Sequence, residues 1–215
     1  MELSMGHEVK TDVTKDRILS EAEILFAHKG FHGVTVREIT EAAKCNLAAV
    51  NYYFGNKWNL YLAVFRFRWL PRAKRLRETV INVLDEYENP TRTDVVKALA
   101  QAFLEGPITD EERTQHALLI FRELAEPTEA FELVANEALR PLFLTLTERM
   151  RLLMPEDLDE KRLRLNIFSI FAMVIHFNFA RAAVTHITGQ EYDHDFKSLL
   201  VEHITNFSLN GLGTG

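Results

Sequence analysis

Cysteine is almost missing from this chain. The single residue, Cys45, excludes an internal disulfide and fits a reducing compartment. Glycine and proline are scarce, 9 and 6 in 215 residues, too few for a protein built from many strands and turns. No stretch is convincing as a strand, and no internal repeat or low-complexity tract occurs. Long apolar runs are absent too. The longest, "IFSIFAMVIHFNFA" from Ile167 to Ala180, is interrupted by His176 and Asn178. It falls short of the roughly 20 residues that cross a bilayer and reads as a buried helix. The opening "MELSMGHEVKTDVTKDR" is polar and charged, unlike a secretory leader. The expected location is therefore the cytoplasm, with no membrane partner. No H-x-x-x-H, C-x-x-C or clustered-carboxylate spacing appears, so no metal and no cofactor are expected. No nucleophile elbow or phosphate loop appears either, which argues against an enzyme.

Positive charge is short overall and unevenly spread. The net charge of −6 opposes indiscriminate nucleic-acid binding. Between Thr14 and Val80, however, Lys and Arg number 12 against 6 Asp and Glu; from Ile81 onward they number 12 against 22. One end tolerates a polyanion and the body does not. Arg66, Arg68, Arg72, Lys74, Arg75 and Arg77 supply the whole excess and could equally form a solvated helix face.

What is abundant is helix formers. Residues 1 to about 13 read as a mobile tail, with Thr14 a cap for a first helix over about 15–29 whose apolar positions are Ile18, Ala22, Leu25 and Phe26. Gly30 stops it. Thr35-Val36-Arg37-Glu38 is a capping box opening a second, two-turn helix over about 36–43. After the "KCN" break a third helix runs over about 47–54, and Lys57 opens a fourth, bent by Pro71. Further helices are expected over about 94–105, 113–125, 128–153 with a bend near Pro141, 160–188 as the longest, capped by Asp159, and 196–209. The fold class is thus all-α, with about nine helices. A first domain over 14–60 would bind DNA, and a second over 61–210 would bind a ligand and dimerise.

A short helix, a tight turn and another short helix form a helix-turn-helix. Ile39, Ala42 and Ala43 supply the supporting apolar face. Leu47, Val50 and Phe54 turn the third helix inward. Ala48, Ala49 and Asn51 leave its opposite side slim enough for the major groove. Asn46 and Asn51 carry amides that reach base edges. Tyr52 and Tyr53 project sideways, where phenols donate to phosphates. Lys57 adds a cation at a helix N-terminus. An ordinary helical hairpin with surface tyrosines would show the same pattern.

The stretch "ILSEAEILFAHKGFHGVTVREITEAAKCNLAAVNYYFGNKWNLYLAVF" resembles the DNA-binding domain of the TetR/AcrR family of bacterial regulators. The resemblance implies a homodimer reading an inverted repeat in double-stranded DNA, and a helical C-terminal domain taking a small-molecule effector. Most such proteins are repressors. By position, base-proximal residues fall on Thr35, Arg37, Asn46, Ala48, Ala49 and Asn51, and phosphate contacts on Tyr52, Tyr53 and Lys57. Lys44 stands where a turn glycine is usual and so needs a left-handed backbone. Cys45 replaces a usual valine, Tyr53 a frequent histidine and Trp58 a frequent glutamate. Farther on, "LLIFRELAEPT", "RPLF" and "HITNFSLNGL" resemble the CecR-like subgroup.

Phenylalanine is plentiful, 15 in all, and much of it falls on the last four helices. An aromatic cavity there would accept an apolar or amphipathic ligand, and plain core is the competing reading. Phe121, Arg122, His176, Phe177 and Arg181 are the ligand candidates. Arg122 and Arg181 interrupt apolar runs and need carboxylates, from Glu126 or Glu129 or from the ligand itself. His116 and His176 read as core histidines. The helices over 160–188 and 196–209 are expected at the dimer interface. Ile170, Val174, Phe177, Arg181 and Val184 lie on one stripe that is either interface or core. In this reading a ligand tilts the fourth helix and changes the spacing of the two recognition helices. The alternative is a helical DNA-binding protein without ligand control.

Overall fold

The computed structural model describes the backbone of residues 2–211 and the side chains of residues 13–210. Every regular element among them is helical. In chain order they are α1 (Glu2–Lys29), α2 (Val36–Ala42), α3 (Leu47–Phe54), α4 (Lys57–Val64), α5 (Leu70–Asp85), α6 (Arg92–Leu104), α7 (Asp110–Ala125), α8 (Glu129–Val134), α9 (Arg140–Arg151), α10 (Glu160–Phe179), α11 (Arg181–Thr188) and α12 (His194–Gly211). α1 is drawn from Glu2, so Thr14 does not cap it. The side chains of the expected tail lie outside the described residues, as does the end of the chain beyond Gly211.

Both proline bends take one form. A π-helical turn, Phe65–Trp69, precedes Leu70-Pro71, and another, Ala135–Leu139, precedes Arg140-Pro141. A proline inside a helix lacks the amide hydrogen and crowds the carbonyl four residues back. Widening the preceding turn relieves both, and the chain stays helical through each proline.

The expected single helix over 160–188 is broken at Ala180, and its halves, α10 and α11, meet at 76°. The cause lies in the carbonyls. Phe177 O would accept the Arg181 amide in a continuous helix; it accepts the Tyr192 hydroxyl instead, at 2.8 Å. Val174 O also takes the buried Asn178 Nδ2 at 3.2 Å, a back-bond that competes with the helix ladder. No single helix among the described residues is long and apolar enough to cross a membrane.

The chain divides into two compact units: Met1–Arg72 with Leu118–Val134, and Ala73–Ala117 with Ala135–Gly215. In the first, α1 packs on α2, α3 and α4, and α8 on the π-turn after α4. Its core is Ile18, Ala22, Phe26, Val34, Ile39, Val50, Leu60, Val64 and Phe65, with Tyr61 set edge-on to Phe26 at 5.0 Å. The second unit is centred on α6, which packs on α9, α10 and α12. Leu99, Leu104, Leu146, Leu163, Val174 and Ile204 are almost wholly buried there, each contributing about 1.5–3 kcal/mol of apolar burial. An apolar void between α6, α9 and α10 measures only about 10 Å³, room for one water at most. Ile170 and Val174 of the anticipated stripe belong to this core. The exposed apolar side chains of α10 are instead Leu165, Phe168 and Phe179, and those of α12 are Leu199 and Phe207.

Candidate nucleic-acid interface

Three caps set the geometry of α2 to α4. Thr35 Oγ1 accepts the Glu38 amide at 3.2 Å, and Glu38 Oε2 accepts the Thr35 amide at 2.7 Å. Asn46 Oδ1 accepts the Ala49 amide at 2.9 Å, and Asn56 Oδ1 accepts the Asn59 amide at 2.8 Å. Each satisfies a helix-end donor that would otherwise need water. The turn between α2 and α3 closes with the Cys45 amide donating to Thr40 O at 3.0 Å, and Lys44 is left-handed with φ 48°. That is the conformation its position demands of a residue other than glycine, a strain the sequence already implied. Burial pushes the Cys45 thiol up, with Arg17 partly offsetting this, so it is a poor nucleophile.

Glu38 is the electrostatic centre of the α2 start. Lys29 pairs with it at 2.7 Å, and its carboxyl is drawn down to about 2 by the Lys29 hydrogen bond first and the Thr35 bonds next. A carboxylate depressed in the folded state stabilises above its unfolded value and loses that contribution as pH falls. The stability gap between the wild-type protein and Glu38→Gln is therefore full above about pH 5. It closes between the ordinary value of 4.5 and about 2, and urea melts across that window measure it.

The face of α3 turned from the core carries Leu47, Ala48, Asn51 and Tyr52, all exposed, with Ala49 and Tyr53 half-buried beside them. Tyr52 is 80% exposed and meets Tyr53 edge-on, ring centres 5.0 Å apart. Val50 and Phe54 are buried as expected. Leu47 is not: it is 55% exposed, because the first turn of α3 stands beyond the helices that cover Val50. On α2, Ile39 and Ala43 turn inward while Ala42 is exposed. Thr35 and Arg37 are exposed beside them. Arg37 Nε is 2.9 Å from Glu41 Oε1 in a solvated pair one turn apart. Such a pair is worth well under about 1 kcal/mol, so a phosphate or base can compete for the guanidinium.

Two residues differ in role from the expectation. The Asn46 oxygen is spent on the α3 cap, which leaves its NH2 for any base contact. Lys57 Nζ donates to Val34 O at 2.7 Å and lies 4.2 Å from the Phe31 ring centre. Burial pulls this ammonium below the usual lysine range, with Glu38 partly offsetting. Its first task is to hold the turn between α1 and α2.

The five ligand candidates are not gathered in one unit. Phe121 and Arg122 belong to the first, and His176, Phe177 and Arg181 to the second. His176 is exposed rather than a core histidine. Arg181 finds its carboxylate in Asp110 at 3.2 Å and stacks on Tyr192 at 4.9 Å, and Lys197 meets the same Asp110 at 2.9 Å. Neither Glu126 nor Glu129 pairs with Arg122; the main-chain oxygens of Ala27 and His28 accept from it.

Sequence reasoning missed the burial of four charged side chains, among them Arg72, which it had allowed on a solvated face. Glu23 and Arg72 form a two-pronged pair within the first unit. Arg113 caps the end of α6, donating to Phe103 O, Gly106 O and Ile108 O. Glu123 accepts the Tyr61 hydroxyl and opens α8 as its cap. Glu23 stands at helical spacing from Leu19, Ala27 and Gly30, a run of apolar or small neighbours that could have betrayed it.

The geometry has relatives. Residues 18–64 match the model of the bacterial regulatory proteins of the tetR family, and residues 93–212 match the C-terminal domain of the HTH-type transcriptional dual regulator CecR. The chain is 24% identical over 207 residues to the CecR dual regulator of Shigella flexneri, covering 92% of this chain and 90% of that one. The transcriptional repressor AcnR of Corynebacterium glutamicum is 40% identical over 78 residues, 36% of this chain and 39% of its own. Among solved structures, a TetR-like regulator from Rhodococcus sp. RHA1 superposes with a TM-score of 0.67 at 14% identity, over 94% of this chain and 97% of that one. A regulator from Pseudomonas aeruginosa PAO1 gives 0.66 at 17% identity, over 94% and 90%. A capped recognition helix with a slim exposed face, and matches over both parts of the chain, lead to one assignment: the protein is a DNA-binding transcriptional regulator of the TetR family, not an enzyme, with a CecR-type C-terminal domain.

Proposed function

We propose that the protein represses transcription as a cytoplasmic homodimer that binds an inverted repeat and is released by a small apolar or amphipathic effector. The single observation behind the DNA mode is the exposed face of α3, where Ala48 and Asn51 offer a slim surface between Arg37 and Tyr52. Thr35, Arg37, Asn46, Ala48, Ala49 and Asn51 face the bases. Tyr52 and Tyr53 take flanking phosphates, and Lys57 acts through the turn it holds, its third donor left for phosphate. Residues 14–60 form the DNA-binding part and 61–210 the effector and dimer part. Exposed apolar side chains on α10 and α12 support the dimer: burying Phe168, Phe179, Leu199 and Phe207 against their copies removes apolar surface from water. The AcnR relative is a transcriptional repressor, whereas CecR is a dual regulator.

Selection of bound fragments from random DNA, with sedimentation of the complex, tests this reading. A palindrome bound by two chains is expected; a strictly monomeric protein with no preference for palindromes overturns it. Asn51→Ala is expected to lower affinity for the selected site by about 1–3 kcal/mol and to leave binding to random DNA nearly unchanged, in parallel titrations at one salt concentration. Equal loss on both would mean that Asn51 does not read bases.

A further inference from the structure

The first unit contains a cleft of about 490 Å³ bounded by the turn after α1, the start of α4 and the end of α7 with its following loop. That is within the range of small-molecule sites. Phe31 and Trp58 line it, their rings edge-on at 5.2 Å, and Trp58 stacks on Tyr61 at 5.6 Å. Beside this aromatic wall stands Arg122. Its Nε donates to Ala27 O at 3.0 Å and its Nη2 to His28 O at 2.7 Å. Carbonyls satisfy hydrogen bonds but do not neutralise a charge. The remaining Nη1 lies against Gly30: a Cβ placed there would come within 2.9 Å of it. Gly30 also has φ +73°, so a bare backbone is required twice over.

The acids around the cleft do not fill this vacancy of charge. Glu123 is saturated, accepting from Tyr61 Oη, Thr128 N, Thr128 Oγ1 and Phe131 N. Lys29 is paired with Glu38, and Glu126 stands exposed at the rim. An aromatic wall of two crossed rings, beside a guanidinium that meets no carboxylate among the described residues, is complementary to one ligand chemistry.

We infer that this cleft binds a planar aromatic carboxylate, its ring against Phe31 and Trp58 and its carboxylate on Arg122, and that binding weakens DNA affinity. The inference rests on the effector-responsive reading above and moves the effector to the DNA-binding unit. A carboxylate that recruits Arg122 competes with the Ala27 and His28 carbonyls. The ligand thus favours the state in which the end of α1 is released, the differential that any shift in DNA affinity requires.

Naphthoate is the probe. Trp58 and Trp69 are the only tryptophans, so Trp69→Phe leaves fluorescence reporting on the cleft alone; calorimetry on the wild-type chain gives the same constant without that change. Saturable quenching is expected, with the neutral naphthalene alcohol binding at least about tenfold more weakly. Ala125→Phe fills the cleft and leaves the Arg122 residue itself in place. It is expected to abolish naphthoate binding, keep ligand-free DNA affinity, and remove the release of DNA by naphthoate. Arg122→Met is expected to lose about tenfold or more in naphthoate affinity. Absent quenching, or quenching that Ala125→Phe leaves intact, overturns the site. Naphthoate binding with no change in DNA affinity overturns the coupling. Release of DNA by some other compound in Ala125→Phe would overturn this site as the effector site while the regulator reading stands.

Discussion

Replacing Glu23 by alanine is expected to lower the unfolding free energy by about 3–5 kcal/mol. Both members of the Glu23–Arg72 pair are nearly inaccessible, with side chains 3% and 7% exposed. One prong is Arg72 Nη2 to Glu23 Oε2 at 3.1 Å, and the other joins Nη1 to Oε1. Removing one partner leaves a buried charge whose desolvation is no longer offset. Removing both, as in Glu23→Leu with Arg72→Met, is expected to cost far less, since the apolar pair keeps the volume and carries no orphaned charge. Guanidinium unfolding of the two single variants and the double variant measures this directly. Equal losses for the single and double variants would mean that the pair matters through its shape and not its charge.

Glu123→Ala is expected to destabilise the first unit by roughly 2–4 kcal/mol. The carboxylate is only 2% exposed as a residue and gathers four donors from three segments. The Tyr61 hydroxyl sits at 2.7 Å, and burial first, then the Glu123 hydrogen bond, raises its ionisation far above the ordinary range. It remains a donor at any working pH. Without Glu123, the Tyr61 hydroxyl is stranded in the core, and the first amides of α8 lose their cap. Water can reach the exposed Thr128 but not Tyr61, which limits the loss to the buried share. Glu123→Gln separates charge from shape: its oxygen still accepts from Tyr61, while its NH2 faces the donors of Thr128 and Phe131. Amide exchange in α8 should rise in both variants; unchanged protection there would contradict the cap.

Local chemistry explains which elements could be read in advance. Thr35 with Glu38, and Asp159, announce helix starts because a short side chain meets an amide two or three residues away. α3 was bounded at Leu47 and Phe54 by the break before it and by Gly55-Asn56 after it, although the cap that Asn46 makes was not foreseen. The left-handed Lys44 was legible only through the family resemblance, since it stands where a turn glycine is usual. The break at Ala180 was not legible: it depends on Tyr192, 15 residues past the carbonyl it captures. Leu47 was misplaced for a related reason. Spacing puts it on the inner stripe, but only the arrangement of the surrounding helices decides where that stripe ceases to be covered.

The ion pairs mark the same limit. Arg181 with Asp110, and Arg122 with the end of α1, join residues 71 and 94 or more positions apart, and no periodicity connects such positions. By itself the sequence determined the helical class, the caps at Thr35 and Asp159, and the slim exposed face of α3, since each follows from interactions within a few residues. The tertiary structure alone decided which charges are buried, which carbonyls end a helix early, and where an aromatic cleft meets Arg122. Those outcomes depend on chain segments brought together by packing, and an electrostatic or hydrogen-bond partner is chosen by distance in space.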